Sequence, residues 1–240
     1  MPASGTIRDV LGQLEAAGTQ RTREGMARFG IVAPRAFGVS LTDIQKIAKR
    51  VGRDHELALG LWKTGWYEAR LLAAFVDDPA CVSASQMDAW ARDFDNWAVC
   101  DTLCFKLFDR TPHAWKKVHQ WAPRSQEFVR RGAFALVASL GVHDRVASDA
   151  QFLATLPLIE RYATDERNFV KKGVSWALRV VGRRSRALHG PALALARRLG
   201  DSDDAAARWI GKDASRELEG AVVKRHLARK AAAAGRRARR

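Results

Sequence analysis

Asp101 follows Trp97 by four residues, and on a helix that spacing sets a carboxylate and a large aromatic face one above the other. A carboxylate so placed can hold a water, take a proton or steady positive charge that develops beside it. The run that carries the pair, Asn96-Trp97-Ala98-Val99-Cys100-Asp101, belongs to a recurring pattern. Its counterparts are Trp66-Tyr67-Glu68-Ala69-Arg70, Phe128-Val129-Arg130-Arg131-Gly132, Phe169-Val170-Lys171-Lys172-Gly173 and Trp209-Ile210-Gly211-Lys212-Asp213. From each leading aromatic to the next the chain advances 31, 31, 41 and 40 residues.

A recurrence of roughly 30–45 residues, with an aromatic opening each helix, predicts stacked helix pairs, because one pair cannot bury its apolar face alone. The fold class expected is therefore all-α: a solenoid of stacked antiparallel helix pairs with a concave basic face. Stacking puts equivalent positions of neighbouring repeats side by side. Arg70, Asp101, Arg131 with Arg130, and Lys172 with Lys171 should then form a charged band in which Asp101 is an acid between bases, ending at Lys212 and Asp213. Taken alone, Asp101 fits an intrahelical or inter-repeat ion pair, for instance to Arg131, better than it fits chemistry.

The elements that must position this band are legible in outline. Ile7, Val10, Leu11 and Leu14, then Met26 and Phe29, fit one or two short helices, and Gly30, Pro34 and Gly38 punctuate a loop. Ser40 and Asp43 open a helix that Leu41, Ile44, Ile47, Ala48 and Val51 carry to Gly52. Helices follow over 56–63, from Trp66, over 83–92 and over 96–108. Thr111-Pro112 reads as the next helix opening. Later helices are expected over 128–140, around Pro157 (which must kink or split its helix), over 168–181, from Gly190-Pro191 to Leu199, and over 203–218. No sustained period-2 alternation occurs, so no sheet is expected. Trp62, Trp90, Trp115 and Trp121 lie between the recurring helices and read as packing, whereas Trp97 and Trp176 share those helices with the band.

With 240 residues, 47% of them apolar, the chain can bury a sizeable core, read as one domain over 1–223 and a basic, disordered tail over 224–240. The formal charge is +15, and the tail holds eight Lys and Arg with no acid, leaving the body at +7. A basic body and a basic tail together predict a polyanionic partner, with nucleic acid the commonest. No apolar run approaches the ~18 residues of a membrane span, and the first residues lack a signal peptide's apolar segment. A soluble, cytoplasmic, nucleoid-associated monomer with no membrane partner is the expectation. Cys81, Cys100 and Cys104 form neither a CxxC pair nor an even framework, and Cys100 and Cys104, one turn apart on a helix, read as buried small groups in a reducing compartment.

Much chemistry is excluded. The six histidines lack metal-ligand spacing, no Gly-rich phosphate loop or nucleophile elbow occurs, and the pairs Asp77-Asp78 and Asp203-Asp204 fall at helix boundaries. No metal and no cofactor are expected. Catalysis would have to rest on a carboxylate in a basic, aromatic-lined groove.

Met26-Ala27-Arg28-Phe29, the helix from Gly38-Val39-Ser40-Leu41 to Lys49, Trp97 with Asp101, Arg130-Arg131 behind an aromatic, and Phe169-Val170-Lys171-Lys172-Gly173-Val174-Ser175-Trp176-Ala177-Leu178-Arg179 resemble the bacterial DNA alkylation repair proteins, the AlkD family of HEAT-like-repeat DNA glycosylases. The similarity runs from about residue 20 to 220. It implies a C-shaped helical solenoid holding duplex DNA with alkylated bases, and hydrolysis of the N-glycosidic bond of N3- or N7-alkylated purines. By the same resemblance Asp101 matches the catalytic carboxylate, Trp97, Trp176 and Phe29 match lesion-flanking aromatics, and Arg131 matches the arginine on the DNA backbone. Arg130, Lys171, Lys172 and Arg70 join Arg131 as expected backbone contacts. The chain has Phe29 where the family often has Tyr, and Asn96-Trp97-Ala98-Val99-Cys100-Asp101 where it usually reads Trp-Trp-Asp-x-Val-Asp. Two other readings stay open, a DNA-binding solenoid without chemistry and a protein-interaction scaffold.

Overall fold

The computed structural model describes residues 6–238, and these divide into two compact units, Met1–Ala114 and Trp115–Arg240. Among the described residues there are only helices, turns and loops. Each unit has its own buried apolar residues.

In the first unit, α1 (Ile7–Ala17) opens with a capping box in which Thr6 and Asp9 satisfy each other's backbone. Then come α2 (Gln20–Met26), a 3-10 turn (Ala27–Phe29), α3 (Leu41–Val51), α4 (His55–Lys63), α5 (Tyr67–Val76), α6 (Ala84–Arg92), α7 (Trp97–Lys106) and a second 3-10 turn (Phe108–Arg110). Side-chain caps from Ser40, Asp54, Ser83 and Asn96 start α3, α4, α6 and α7. The centre of the unit is α5, whose Leu71, Leu72, Ala73, Ala74 and Val76 are buried against α1, α3, α4 and α7. Trp62 and Trp90 stack with ring centroids 4.3 Å apart and 4° between planes, which makes them core, as their positions between recurring helices implied.

The second unit contains α8 (Ala114–Trp121), whose first residue closes the preceding unit, α9 (Glu127–His143), α10 (Asp149–Leu153), α11 (Leu156–Arg161), α12 (Asn168–Arg184), α13 (Arg186–Gly200), α14 (Ala205–Leu218) and α15 (Ala221–Ala238). Here α12 is central, packed on α9, α13 and α14. Gly211 is where α14 meets α13: a Cβ there would fall on the Gly200 and Ala196 backbone, so only a glycine lets the two helices close.

Three expectations change. Pro191 does not open a helix but lies inside α13, because the Ser185 hydroxyl accepts from Leu188 N at 3.2 Å and starts the helix five residues earlier. Thr111 turns its hydroxyl to the Phe108 carbonyl at 2.8 Å, closing the second 3-10 turn, and α8 starts only at Ala114. The stretch read as a disordered tail is helical as far as Ala238, because Val223 and Leu227 recur at i and i+4 and are buried. Pro157 does split its segment, standing in the first turn of α11, where its missing N–H costs nothing.

Candidate nucleic-acid interface

The side chain of Asn96 is buried and accepts from Val99 N at 3.0 Å, which fixes Trp97 as the first residue of α7. The indole Nε1 of Trp97 donates to the Phe29 carbonyl at 2.8 Å, a link across 68 residues. Phe29 itself is 69% exposed, at the end of the 3-10 turn that Gly30, with φ of 68°, terminates. Asp101 is half-buried one turn further along α7. Three of the expected residues therefore stand together in the first unit: Phe29 and Trp97 joined directly, Asp101 on the same stripe as Trp97.

Cys100 and Cys104 lie buried on the same helix. Burial pushes the Cys104 thiol well up, and Cys100 and the carboxylates of Asp101 and Asp109 push it further. It stays protonated at neutral pH and offers no nucleophile.

The loop that carries Phe29 into α3 is held by a residue the sequence did not single out. The fully buried Glu68 accepts from Phe37 N at 3.0 Å, Gly38 N at 2.7 Å and Val39 N at 3.2 Å. Gly38 has φ of 84° and sits against the Thr19 backbone, so the turn admits no side chain. Phe37 stacks on Trp66 at 4.0 Å, and Tyr67 N donates to the Arg35 carbonyl at 2.9 Å. The only sequence signal for this anchor was the presence of Glu68 in a recurring pentad beside residues that had to be buried.

Arg70 faces inward. Its guanidinium lies 5.0 Å from the Trp62 ring centroid, donates to the Asp93 carbonyl at 3.3 Å and stands 3.6 Å from the Asp95 carboxylate. It fastens α5 to the turn before α7.

In the second unit the recurring positions do come side by side. Phe128 and Phe169 have centroids 5.4 Å apart, Arg131 donates to the Phe169 carbonyl at 2.6 Å, and the Lys171 ammonium lies 5.1 Å from the Trp209 ring. Arg131 is 7% exposed. Arg130 donates to the Ala122 carbonyl at 2.9 Å and to Asp165 at 2.6 Å, and covers the Tyr162 ring at 4.7 Å. Lys171 is half-buried, Lys172 exposed and Trp176 half-buried. Lys172, Trp176, Arg179 and Arg183, spaced four, three and four residues, share one face of α12. On that face Arg179 meets Glu217 at 2.6 Å and Asp213 at 3.5 Å.

Asp165 ties Arg130 to Arg167, each at 2.6 Å. Burial alone would raise its carboxyl, but the hydrogen bonds from Arg167 and Arg130 outweigh burial and bring it down to about 2. Nothing in its neighbourhood in the sequence announced this node.

A protein-family model described as DNA alkylation repair enzyme matches residues 10–218. The chain belongs to this family. A solved structure described as "a new family of proteins related to the HEAT-like repeat DNA glycosylases with affinity for branched DNA structures" is similar at 23% identity and a TM-score of 0.74, over 88% of this chain and 95% of that one. The likeness assigns the HEAT-like-repeat fold. No curated protein sequence matches the chain.

In this DNA alkylation repair family member the matched stretch takes in α7 and α12 and ends at the last residue of α14, so α15 lies outside it. Among the described residues no helix is long and apolar enough to cross a membrane, and no three His, Cys, Asp or Glu side chains are grouped to hold a metal ion.

Proposed function

We propose that the protein is a DNA glycosylase that hydrolyses the N-glycosidic bond of cationic N3- and N7-alkylated purines in duplex DNA. The observation that carries this reading is the group on α7: Asp101 one turn beyond Trp97, whose indole is pinned to the carbonyl of the exposed Phe29. Membership of a DNA alkylation repair family supports it.

A purine alkylated at N7 or N3 already carries positive charge and leaves as a neutral base, so a strong general acid is not required. As the bond stretches, charge moves to the deoxyribose. Asp101 stabilises that oxocarbenium-like state and positions a water to attack C1′. The face of Trp97 contributes cation–π attraction of about 0.5–2 kcal/mol to the cationic base or sugar. Phe29 presents a second apolar ring beside it.

The second unit adds its own contacts to the duplex, Trp176 as a stacking face and Lys172 and Lys171 as phosphate contacts, which fix register without reading sequence. Arg131, Arg130 and Arg70 act from behind: each is hydrogen-bonded to a carbonyl of a neighbouring segment and so holds the recurring helices in line.

Single-turnover release of 7-methylguanine from methylated duplex DNA tests the proposal, with DNA affinity measured in parallel for wild type and Asp101→Asn. Loss of release with binding retained supports it. A second reading, a DNA-binding solenoid without chemistry, is favoured by the likeness to a protein described as having affinity for branched DNA. Binding of a four-way junction in preference to duplex, with no base released by the wild type, would establish that reading instead.

A further inference from the structure

In the second unit α15 closes over the C-terminal ends of α12 and α14 and leaves a cleft of about 910 Å³. Its cations come from four separate segments: Arg145 just past α9, Arg183 and Arg184 on α12, Arg216 on α14 and Lys230 on α15. The two lining acids are already occupied. Glu217 is bound by Arg179 at 2.6 Å and Arg183 at 3.3 Å. Asp213 accepts from Ser175 at 2.7 Å and lies 3.5 Å from Arg179. Arg216 reaches Asp213 only at 4.0 Å and its side chain is 79% exposed.

We infer that this cleft is a second binding site for the nucleic-acid backbone, taking phosphodiester groups on Arg145, Arg216 and Lys230 at a place distinct from the aromatic-led band. The inference rests on DNA being the partner, and it is independent of base excision.

Three observations bear on the occupant. The cations are contributed by four separate segments, so the cleft offers several phosphate contacts in place of one, which suits a polymer with a repeating charge better than a single small anion. Arg183 stands seven residues beyond Trp176 on the same face of α12, so a strand that touches Trp176 and continues along the helix arrives at the cleft. The floor and mouth also include Val142, Val180 and Val222, the last 72% exposed, which offers apolar surface to sugars between phosphates.

The local potential agrees. Lys230 donates to the Arg184 carbonyl at 2.8 Å, and its ammonium is pushed down by burial and by Arg184, Arg145 and Arg183, against the weaker pull of Asp149. His226 is lowered by burial and by Lys230, Arg183 and Arg229. These cations repel one another across the cleft, and bound phosphate relieves that repulsion.

The test is the salt dependence of duplex affinity, by fluorescence anisotropy on the full chain. Each lost phosphate contact lowers the slope of log K against log salt by ~0.9. Arg145→Ala with Arg216→Ala should lower it by about 2, while single-turnover base release at saturating DNA stays unchanged. Both residues are exposed, so thermal stability serves as a folding control and should not move. In a second measurement, the Val222→Cys thiol should exchange with a mixed-disulfide tether on a backbone phosphate of the duplex, releasing the tether's small thiol, and the double variant should slow that exchange. An unaltered slope in the double variant, beside a lowered slope for Lys172→Ala, overturns the inference and leaves DNA binding intact. Absence of DNA binding by the wild type would instead remove the premise. Polyglutamate binding that the double variant abolishes, with the DNA slope unaltered, would assign the cleft to an acidic polypeptide and likewise overturn it.

Discussion

The two units use the same repeat register for opposite ends. In the first, the pentad that opens α7 sets a half-buried aromatic and a half-buried carboxylate on one stripe, and the bond it makes, Trp97 to the Phe29 carbonyl at 2.8 Å, ties it to the turn that carries the exposed Phe29 ring. In the second, the pentad opening α9 spends its arginines on neighbouring carbonyls, Arg131 on that of Phe169 at 2.6 Å and Arg130 on that of Ala122 at 2.9 Å. Stacking dictates that equivalent positions meet. What they do there depends on length and partner: an arginine is long enough to reach a carbonyl of a neighbouring segment, as Arg131 does at Phe169, whereas an aspartate has a much shorter reach.

The comparison breaks most cleanly at Asp101. Asp101→Asn should reduce single-turnover release of 7-methylguanine by about 100-fold or more, on the scale of removing one electrostatic stabiliser, with duplex affinity changed little. If release persists at the wild-type rate, the Asp101 carboxylate has no chemical role, and the first unit differs from the second in geometry alone. Next in size is Glu68→Gln, which keeps the volume and replaces one acceptor oxygen by a donor facing backbone N–H groups. A loss of about 2–3 kcal/mol is expected, read as a lower urea midpoint at unchanged m-value. Base release measured below the transition should fall too, because the loop carrying Phe29 loses its anchor.

Arg130→Met and Lys172→Ala sharpen the contrast inside the second unit. The first should cost about 2 kcal/mol of stability and leave the salt slope of DNA binding alone; the second should do the reverse. Acid titration supplies an independent check. Because the folded carboxyl of Asp165 is brought down to about 2, below its ordinary 3.8, its contribution is complete above about pH 4 and is lost as pH falls towards 2. That contribution is about 2 kcal/mol, and in Arg130→Met the acid limb should flatten as the folded value moves back up. An acid limb identical to wild type would show that Arg167 alone holds Asp165.

Helix content and repeat order were legible because both are carried by local signals: apolar periodicity, capping hydroxyls and an aromatic at each recurring helix. The α7 group was legible for the same reason, since Trp97 and Asp101 lie four apart on one helix. What the sequence withheld is contact across distance. Glu68 is one acid among 26 in Asp and Glu, and only the fold brings the 37–39 backbone onto it. Arg130 and Arg131 read as DNA-backbone contacts from their charge, and the bonds they make to the carbonyls of Ala122 and Phe169 are invisible to spacing. The start of α13 was misplaced because Gly190-Pro191 is a strong local break signal, outweighed by the Ser185 cap and by burial of Leu188, Ala192 and Leu195.

The smallest expected effect is at Phe29. Its ring is 69% exposed, so Phe29→Ala removes little buried surface and should leave thermal stability within about 0.5 kcal/mol of wild type. The bond from Trp97 goes to the backbone carbonyl, which the substitution retains, so the indole should stay in place. Loss of base release should then be modest, roughly 2- to 10-fold, the scale of one aromatic contact. Trp97→Phe is the companion: it keeps an aromatic face but deletes the Nε1 donor, leaving the Phe29 carbonyl without that bond. If the ring itself matters, Phe29→Ala lowers release and Trp97→Phe lowers it further by letting the turn move. If Phe29→Ala has no effect while Trp97→Phe does, the 3-10 turn works only as a brace for the indole, and the group in the first unit narrows to Trp97 and Asp101.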